Sequence, residues 1–114
     1  MSAITTHVLD LAFGQPAAGV PVRLEVAGKG GAWIPLANAT TDSDGRAKSL
    51  LATGARLDVG RYRLTFDTAA YFSARGMTAF YPEVAVQFEV HDAGRHYHVP
   101  LLLSPFGYST YRGS

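Results

Sequence analysis

Two histidines lying two positions apart, His96 and His98, are the first residues in this sequence that could do chemistry. Strand side chains repeat with a period of two, so on a strand both rings leave the same face. A neutral imidazole near pH 7 can take a proton from water and return it to a leaving nitrogen. A third histidine, His7, sits close to the other end of the chain. Three imidazoles can also hold zinc and leave one position for water. Nothing in the spacing of His7 relative to the pair demands a metal, so both chemistries stand at this point. Each histidine also has a plain reading as a surface or satisfied core residue, most strongly His91, which lies beside a turn. Arg46 follows the Asp44-Gly45 turn, where a strand end would hold its planar donors in one orientation. Such a guanidinium can grip a carboxylate or a developing oxyanion with two hydrogen bonds; otherwise it is a solvated loop-edge charge. There is no cysteine, which removes disulfides, thiolate zinc sites and thiol nucleophiles, so a nucleophile must be oxygen or nitrogen.

The last nine residues are unusual. Most chain ends are polar and frayed, but Phe106, Tyr108 and Tyr111 punctuate this one. Aromatic rings bury large areas, so the tail is expected to dock on this chain or on a neighbour. Docking would give Arg112, Ser114 and the terminal carboxylate definite positions, without by itself giving them chemistry.

The elements that must position these residues are short strands. Ile4 to Leu11 alternates, with Ile4, Thr6, Val8 and Asp10 on one face and His7, Leu9 and Leu11 on the other. Val20, Val22, Leu24 and Val26 form a second stripe, and Trp33 to Thr41 a third strand. Asp42-Ser43-Asp44-Gly45 is a turn, and Leu50 to Leu57 reads as a loop or a short strand. Gly60 to Asp67 puts Tyr62, Leu64 and Phe66 on one face. Thr68 to Arg75 is the one helix candidate, capped by Asp67 or Thr68 and stopped by Gly76. Glu83 to Val90 alternates, with Val84, Val86, Phe88 and Val90 inward. His91-Asp92-Ala93-Gly94 has hairpin composition, with Arg95 to Leu103 returning as the partner strand and Phe106 to Tyr111 as a last strand. Seven or eight short strands with a turn about every ten residues spell an all-β, two-sheet sandwich.

Composition agrees with one globular domain over residues 1–114. Apolar residues make up 47% and charged residues 17% of the chain. A net charge of +1 with scattered Lys and Arg offers no footprint for nucleic acid or an anionic membrane. No signal peptide is visible, and the apolar run Val99 to Leu103 is far too short to span a bilayer. The expectation is therefore a cytoplasmic protein.

Three blocks resemble the transthyretin-related family, and within it the enzymatic branch, the 5-hydroxyisourate hydrolases. The first is His7-Val8-Leu9-Asp10 with Gly14 and Pro16-Ala17; the second is Thr41-Asp42-Ser43-Asp44-Gly45-Arg46. The third runs from His96-Tyr97-His98-Val99-Pro100 to Tyr111-Arg112-Gly113-Ser114, and Tyr81-Pro82-Glu83-Val84 adds a similar strand start. The resemblance covers the whole chain. It implies an eight-stranded sandwich with one short helix, assembled as a homotetramer (a dimer of dimers) with active sites at the dimer–dimer contact. It implies hydrolysis of the ring amide of 5-hydroxyisourate, the product of urate oxidation, to 2-oxo-4-hydroxy-4-carboxy-5-ureidoimidazoline, with no metal and no cofactor. The functional positions it carries over are His7, Arg46, His98 and the Tyr111 to Ser114 tail. His7, Arg46, His98 and Ser114 are then the expected catalytic residues, with His7, Arg46 and Tyr111 holding substrate. Arg112 and Gly113 are expected to shape the tail and the subunit contact. The hormone-carrying transthyretins share the sandwich but lack this residue set.

Overall fold

The computed structural model describes residues 3–52 and 54–113. Two sheets form the molecule. The first has the order β2 (Gln15–Pro16), β1 (Ile4–Asp10), β8 (Tyr97–Ser104), β9 (Gly107–Thr110), with β5 (Arg46–Ala47) also paired to β1. The second has the order β4 (Trp33–Thr40), β3 (Pro21–Ala27), β6 (Gly60–Phe66), β7 (Val84–Val90). Among the described residues all pairings are antiparallel except β1 with β8, which is parallel. The strands described there number nine because β2 and β5, each two residues long, pair with β1 and are too short to show periodicity.

Alternation places the core between the sheets. Ile4, Thr6, Val8 and Asp10 of β1 are buried, as are Tyr97, Val99, Leu101 and Leu103 of β8. They face Val22 and Leu24 of β3, Tyr62, Leu64 and Phe66 of β6, and Val84, Val86 and Val90 of β7. Of residues 50–57, those described lie in no strand, yet Leu50 and Leu57 are buried in this core.

The expected hairpin between Glu83–Val90 and Arg95–Leu103 does not form. β7 pairs with β6, whereas β8 pairs with β1 and β9 in the opposite sheet. The Asp92 turn is real, with Gly94 N–H donating to Asp92 Oδ1 at 2.9 Å, but it carries the chain across the sandwich. Both strands have apolar inner faces, and burying one against the other across the core stabilises both. The backbone N–H of Tyr97 then donates to the carbonyl of Ala3 at 2.8 Å and starts the parallel ladder.

The one α-helix among the described residues, α1 (Thr68–Ser73), is capped by the Asp67 carboxylate, which accepts from Ala70 N–H at 3.0 Å. It ends two residues before Arg75, and Gly76 adopts φ +71° beyond it. Tyr71 on α1 donates its hydroxyl to Asp10 Oδ2 at 2.6 Å, while Asp10 Oδ1 accepts from Ala12 and Phe13 N–H. Burial and the adjacent carboxylate push the Tyr71 phenol up to about 12. This neutral donor satisfies the buried Asp10 carboxylate and ties α1 to the end of β1, the strand that carries His7. No helix among the described residues is long and apolar enough to cross a membrane.

Candidate active site

Four segments far apart in sequence meet on the outer face of the first sheet. Within β1, Thr5 and His7 point away from the core stripe of Ile4, Thr6, Val8 and Asp10. The parallel register sets His98 opposite Thr5 and Pro100 opposite His7. On the other side of β1, Arg46 is the antiparallel partner of His7. Gly113 of the tail forms a bridge with His98, its N–H donating to the His98 carbonyl at 2.9 Å. Residues opposite one another in a ladder share a face, so His7, Arg46, His98 and the tail belong to one patch.

Arg46 owes its position to the turn before it. Asp42 Oδ1 accepts from Asp44 N–H at 2.9 Å and Arg46 N–H at 3.0 Å. The backbone hydrogen bond from Arg46 is the main influence holding the Asp42 carboxyl below the usual carboxylate range. Gly45 adopts φ +75°, and a Cβ there would strike the carbonyl oxygen of Val8. Gly45 is therefore required twice, for its conformation and for its close approach to β1. Its own carbonyl accepts from Val8 N–H at 2.7 Å, pinning the turn onto the strand next to His7.

His98 is half-buried, and its ring is held on two sides. Nδ1 lies 2.8 Å from the Thr5 hydroxyl, and the same hydroxyl lies 3.0 Å from Nε2 of His96. The two imidazoles stack with centroids 6.4 Å apart, as their spacing on one strand face predicts. Burial, first of all, pushes the His98 pKa below the ordinary histidine value. The Arg46 charge, His96 and His7 push it the same way, against a backbone hydrogen bond with Thr5. A histidine so placed is an uncharged proton acceptor at neutral pH. His7 is also half-buried, and its Nε2 is buried without a hydrogen-bond partner among the described residues. Buried polar nitrogens are normally satisfied, so this atom is a candidate contact for a bound molecule.

Within one chain the tail docks mainly through its backbone, with the Tyr108 ring set edge-on to the Tyr81 ring, centroids 5.3 Å apart. β9 pairs with β8, but Phe106, Tyr108 and Tyr111 remain exposed within one chain, Phe106 to 76%. Among the described residues β9 is an edge strand that pairs with β8 alone and leaves its other edge open. Tyr111 and His98 line a common cleft of about 250 Å³ at the sandwich edge, together with Arg112 and with Val86 and Phe88 of β7. His7 and Arg46 are not among its lining residues; they stand on the neighbouring sheet face. Arg112 lays its guanidinium 4.8 Å from the Tyr97 ring centroid, a contact that shapes the tail. Ser114, expected to act by its hydroxyl or the terminal carboxylate, lies outside the described residues. His91 is exposed, beside the turn. Among the described residues no three His, Cys, Asp or Glu side chains gather as a metal-binding group.

One contributor is not legible in the sequence: Thr5, since only the parallel register reveals that it faces His98. Gly113, expected to shape the tail and the subunit contact, also meets the His98 ring. A Cβ on Gly113 would lie 2.6 Å from Cδ2 of His98 and 3.3 Å from Cγ of Pro100, so the tail backbone packs directly on the imidazole. Gly113→Ala is expected to tilt that ring and lower kcat about a hundredfold, the scale on which misplacement of reacting groups acts. Steady-state kinetics alongside a thermal melt will check this; unchanged kcat would show that the ring needs no such support.

Comparison with known proteins gives a consistent family. Residues 4–113 match the HIUase/Transthyretin family. A 5-hydroxyisourate hydrolase of Caulobacter vibrioides is 49% identical, with all of both chains covered. The "Uric acid degradation bifunctional protein TTL" of Arabidopsis thaliana is 46% identical over 97% of this chain, but the chain spans 37% of that longer protein. Among solved structures, Klebsiella pneumoniae 5-hydroxyisourate hydrolase superposes with a TM-score of 0.84 at 40% identity, covering 97% of this chain and 98% of the other. Sea bream transthyretin in complex with thyroxine superposes with a TM-score of 0.91 at 34% identity, covering 98% and 95%.

Proposed function

The chain belongs to the HIUase/transthyretin family, and from that premise we propose that it hydrolyses the ring amide of 5-hydroxyisourate by histidine-assisted attack of water. It is a hydrolase of urate breakdown rather than a hormone carrier. Backbone similarity does not make this choice, since the thyroxine-binding structure superposes slightly better than the hydrolase does. The observation that carries the reading is the setting of His98: a half-buried imidazole disfavoured as a cation, with Arg46 and His7 beside it on one sheet face.

In this reading His98 takes a proton as water adds to the ring carbonyl. Arg46 holds the substrate and stabilises the oxyanion that forms. Cleavage of the carbon–nitrogen bond then leaves a carboxylic acid, and the departing ring nitrogen takes up a proton. His7 orients the water or carries the proton onward through its unpartnered Nε2. Tyr111 borders the substrate, and Ser114 orients a histidine or the water. Water, a general base and an oxyanion partner complete the step, so no covalent intermediate is required. The site operates in the cytoplasm, in a homotetramer. The open sheet face and the exposed tail aromatics support that assembly, because a flat heterocycle resting on one face needs a second wall.

The test is the decay of 5-hydroxyisourate, freshly generated from urate and followed by absorbance, with and without chelator. Accelerated decay that survives chelation is expected. Tight binding of aromatic ligands without turnover would point to a carrier, and loss of activity with stoichiometric metal would point to a zinc hydrolase.

A further inference from the structure

The contact between one threonine hydroxyl and two imidazoles has chemical consequences for the hydrolysis, resting on the assignment of His98 as its proton acceptor. Thr5 is 5% exposed, and its Oγ1 stands 2.8 Å from Nδ1 of His98 and 3.0 Å from Nε2 of His96. A hydroxyl has one proton to give and can accept on its lone pairs. Thr5 therefore cannot donate to both rings, and the proton it gives to one decides the state of the other. If it gives its proton to His98 Nδ1, the neutral His98 ring must carry its own proton on Nε2, and the base is blocked. If it gives its proton to His96 Nε2, His98 donates from Nδ1 and its Nε2 is left with a free lone pair.

We propose that Thr5 is a positioning residue that fixes the base: it accepts from Nδ1 of His98, donates to Nε2 of His96, and so leaves Nε2 of His98 free to take the proton of water. The packing agrees with this orientation. The Nδ1 side of the ring faces Thr5, and the Cδ2 side abuts the Gly113 backbone. When Nε2 gains the water proton, Nδ1–H continues to donate to Thr5, now from a charged ring, and that bond strengthens. The proton count closes: water loses one, His98 gains one, and Thr5 keeps its own.

The groups that bear on His98 are His7 on β1, Arg46 on β5 and His96 on its own strand, with Arg112 of the tail stacked on the adjacent Tyr97. Of these, only His96 shares the Thr5 hydroxyl.

The experiment compares Thr5→Val, Thr5→Ser and His98→Ala. Valine keeps the β-branched shape in the strand and removes the hydroxyl; serine keeps the hydroxyl. Thr5→Val is expected to lower kcat about ten- to hundredfold with KM little changed, the scale of one hydrogen bond to a group that becomes charged. Thr5→Ser is expected to restore most of the activity. Nitrogen-15 NMR of the labelled histidines is expected to find neutral His98 protonated on Nδ1 in the unaltered protein and redistributed between tautomers in Thr5→Val. Near-full activity of Thr5→Val beside an inactive His98→Ala would overturn the role of Thr5 alone. An active His98→Ala would overturn the assignment of the base itself. Finding His98 protonated on Nε2 in the unaltered protein would also overturn the proposal.

Discussion

His98→Ala is expected to lower kcat for 5-hydroxyisourate by about 10²–10⁴-fold, the range over which a positioned general base acts, with a far-ultraviolet spectrum unchanged from the parent. The fold should survive because the His98 side chain lies on the outer face of β8, while Tyr97 and Val99 on either side of it fill the core. The pH profile adds a second readout. Burial and the Arg46 charge favour the neutral ring, so the imidazole sheds its proton at a lower pH than an ordinary histidine. The acid limb of kcat/KM is thus expected below the ordinary histidine pKa, with activity rising as pH increases through it and a plateau already reached at neutral pH. An acid limb displaced above that value would contradict the environment described for His98. Retention of kcat in His98→Ala would remove this residue from the chemistry.

Arg46→Ala is expected to produce the other large loss, about 10²–10³-fold in kcat/KM, the scale of a missing oxyanion donor. Arg46→Lys should recover only part, since a point charge does not reproduce a two-pronged contact. The same substitution has a second effect of known sign. The Arg46 cation disfavours protonation of His98, so removing it raises the His98 pKa and moves the acid limb of Arg46→Ala to higher pH. His7 and His96 remain and keep part of the depression. A loss of rate without that displacement would place Arg46 on the substrate but not near the base. Equal rates for Arg46→Ala and the parent would remove it from both roles.

Much of the positioning was legible in the residues themselves. The alternation of β1 separates Ile4, Thr6, Val8 and Asp10 from His7, and the observed burial follows it. The Asp42 to Gly45 turn holds Arg46 at a strand start, as its composition predicts. Spacing alone put His96 and His98 on one face. The Thr68 helix and its Asp67 cap were legible from local hydrogen bonding in the same way. The misses share one cause. The Asp92 turn looks like a hairpin because local composition reports that the chain reverses, not which sheet it joins. Its neighbours choose the sheet, through the parallel ladder of β8 on β1.

The tail separates the two kinds of information most clearly. By itself the sequence determined that this end is too rich in aromatic residues to be ordinary, and that His7, Arg46 and His98 have the side chains for proton transfer and oxyanion binding. Periodicity and turn chemistry are local, so they survive in a linear string. Only the tertiary structure decided that Gly113 packs on the His98 ring, that Thr5 bridges two imidazoles, and that Arg46 lies opposite His7. Those contacts join residues up to 93 positions apart. Their existence depends on strand register, which the burial of the whole core sets at once.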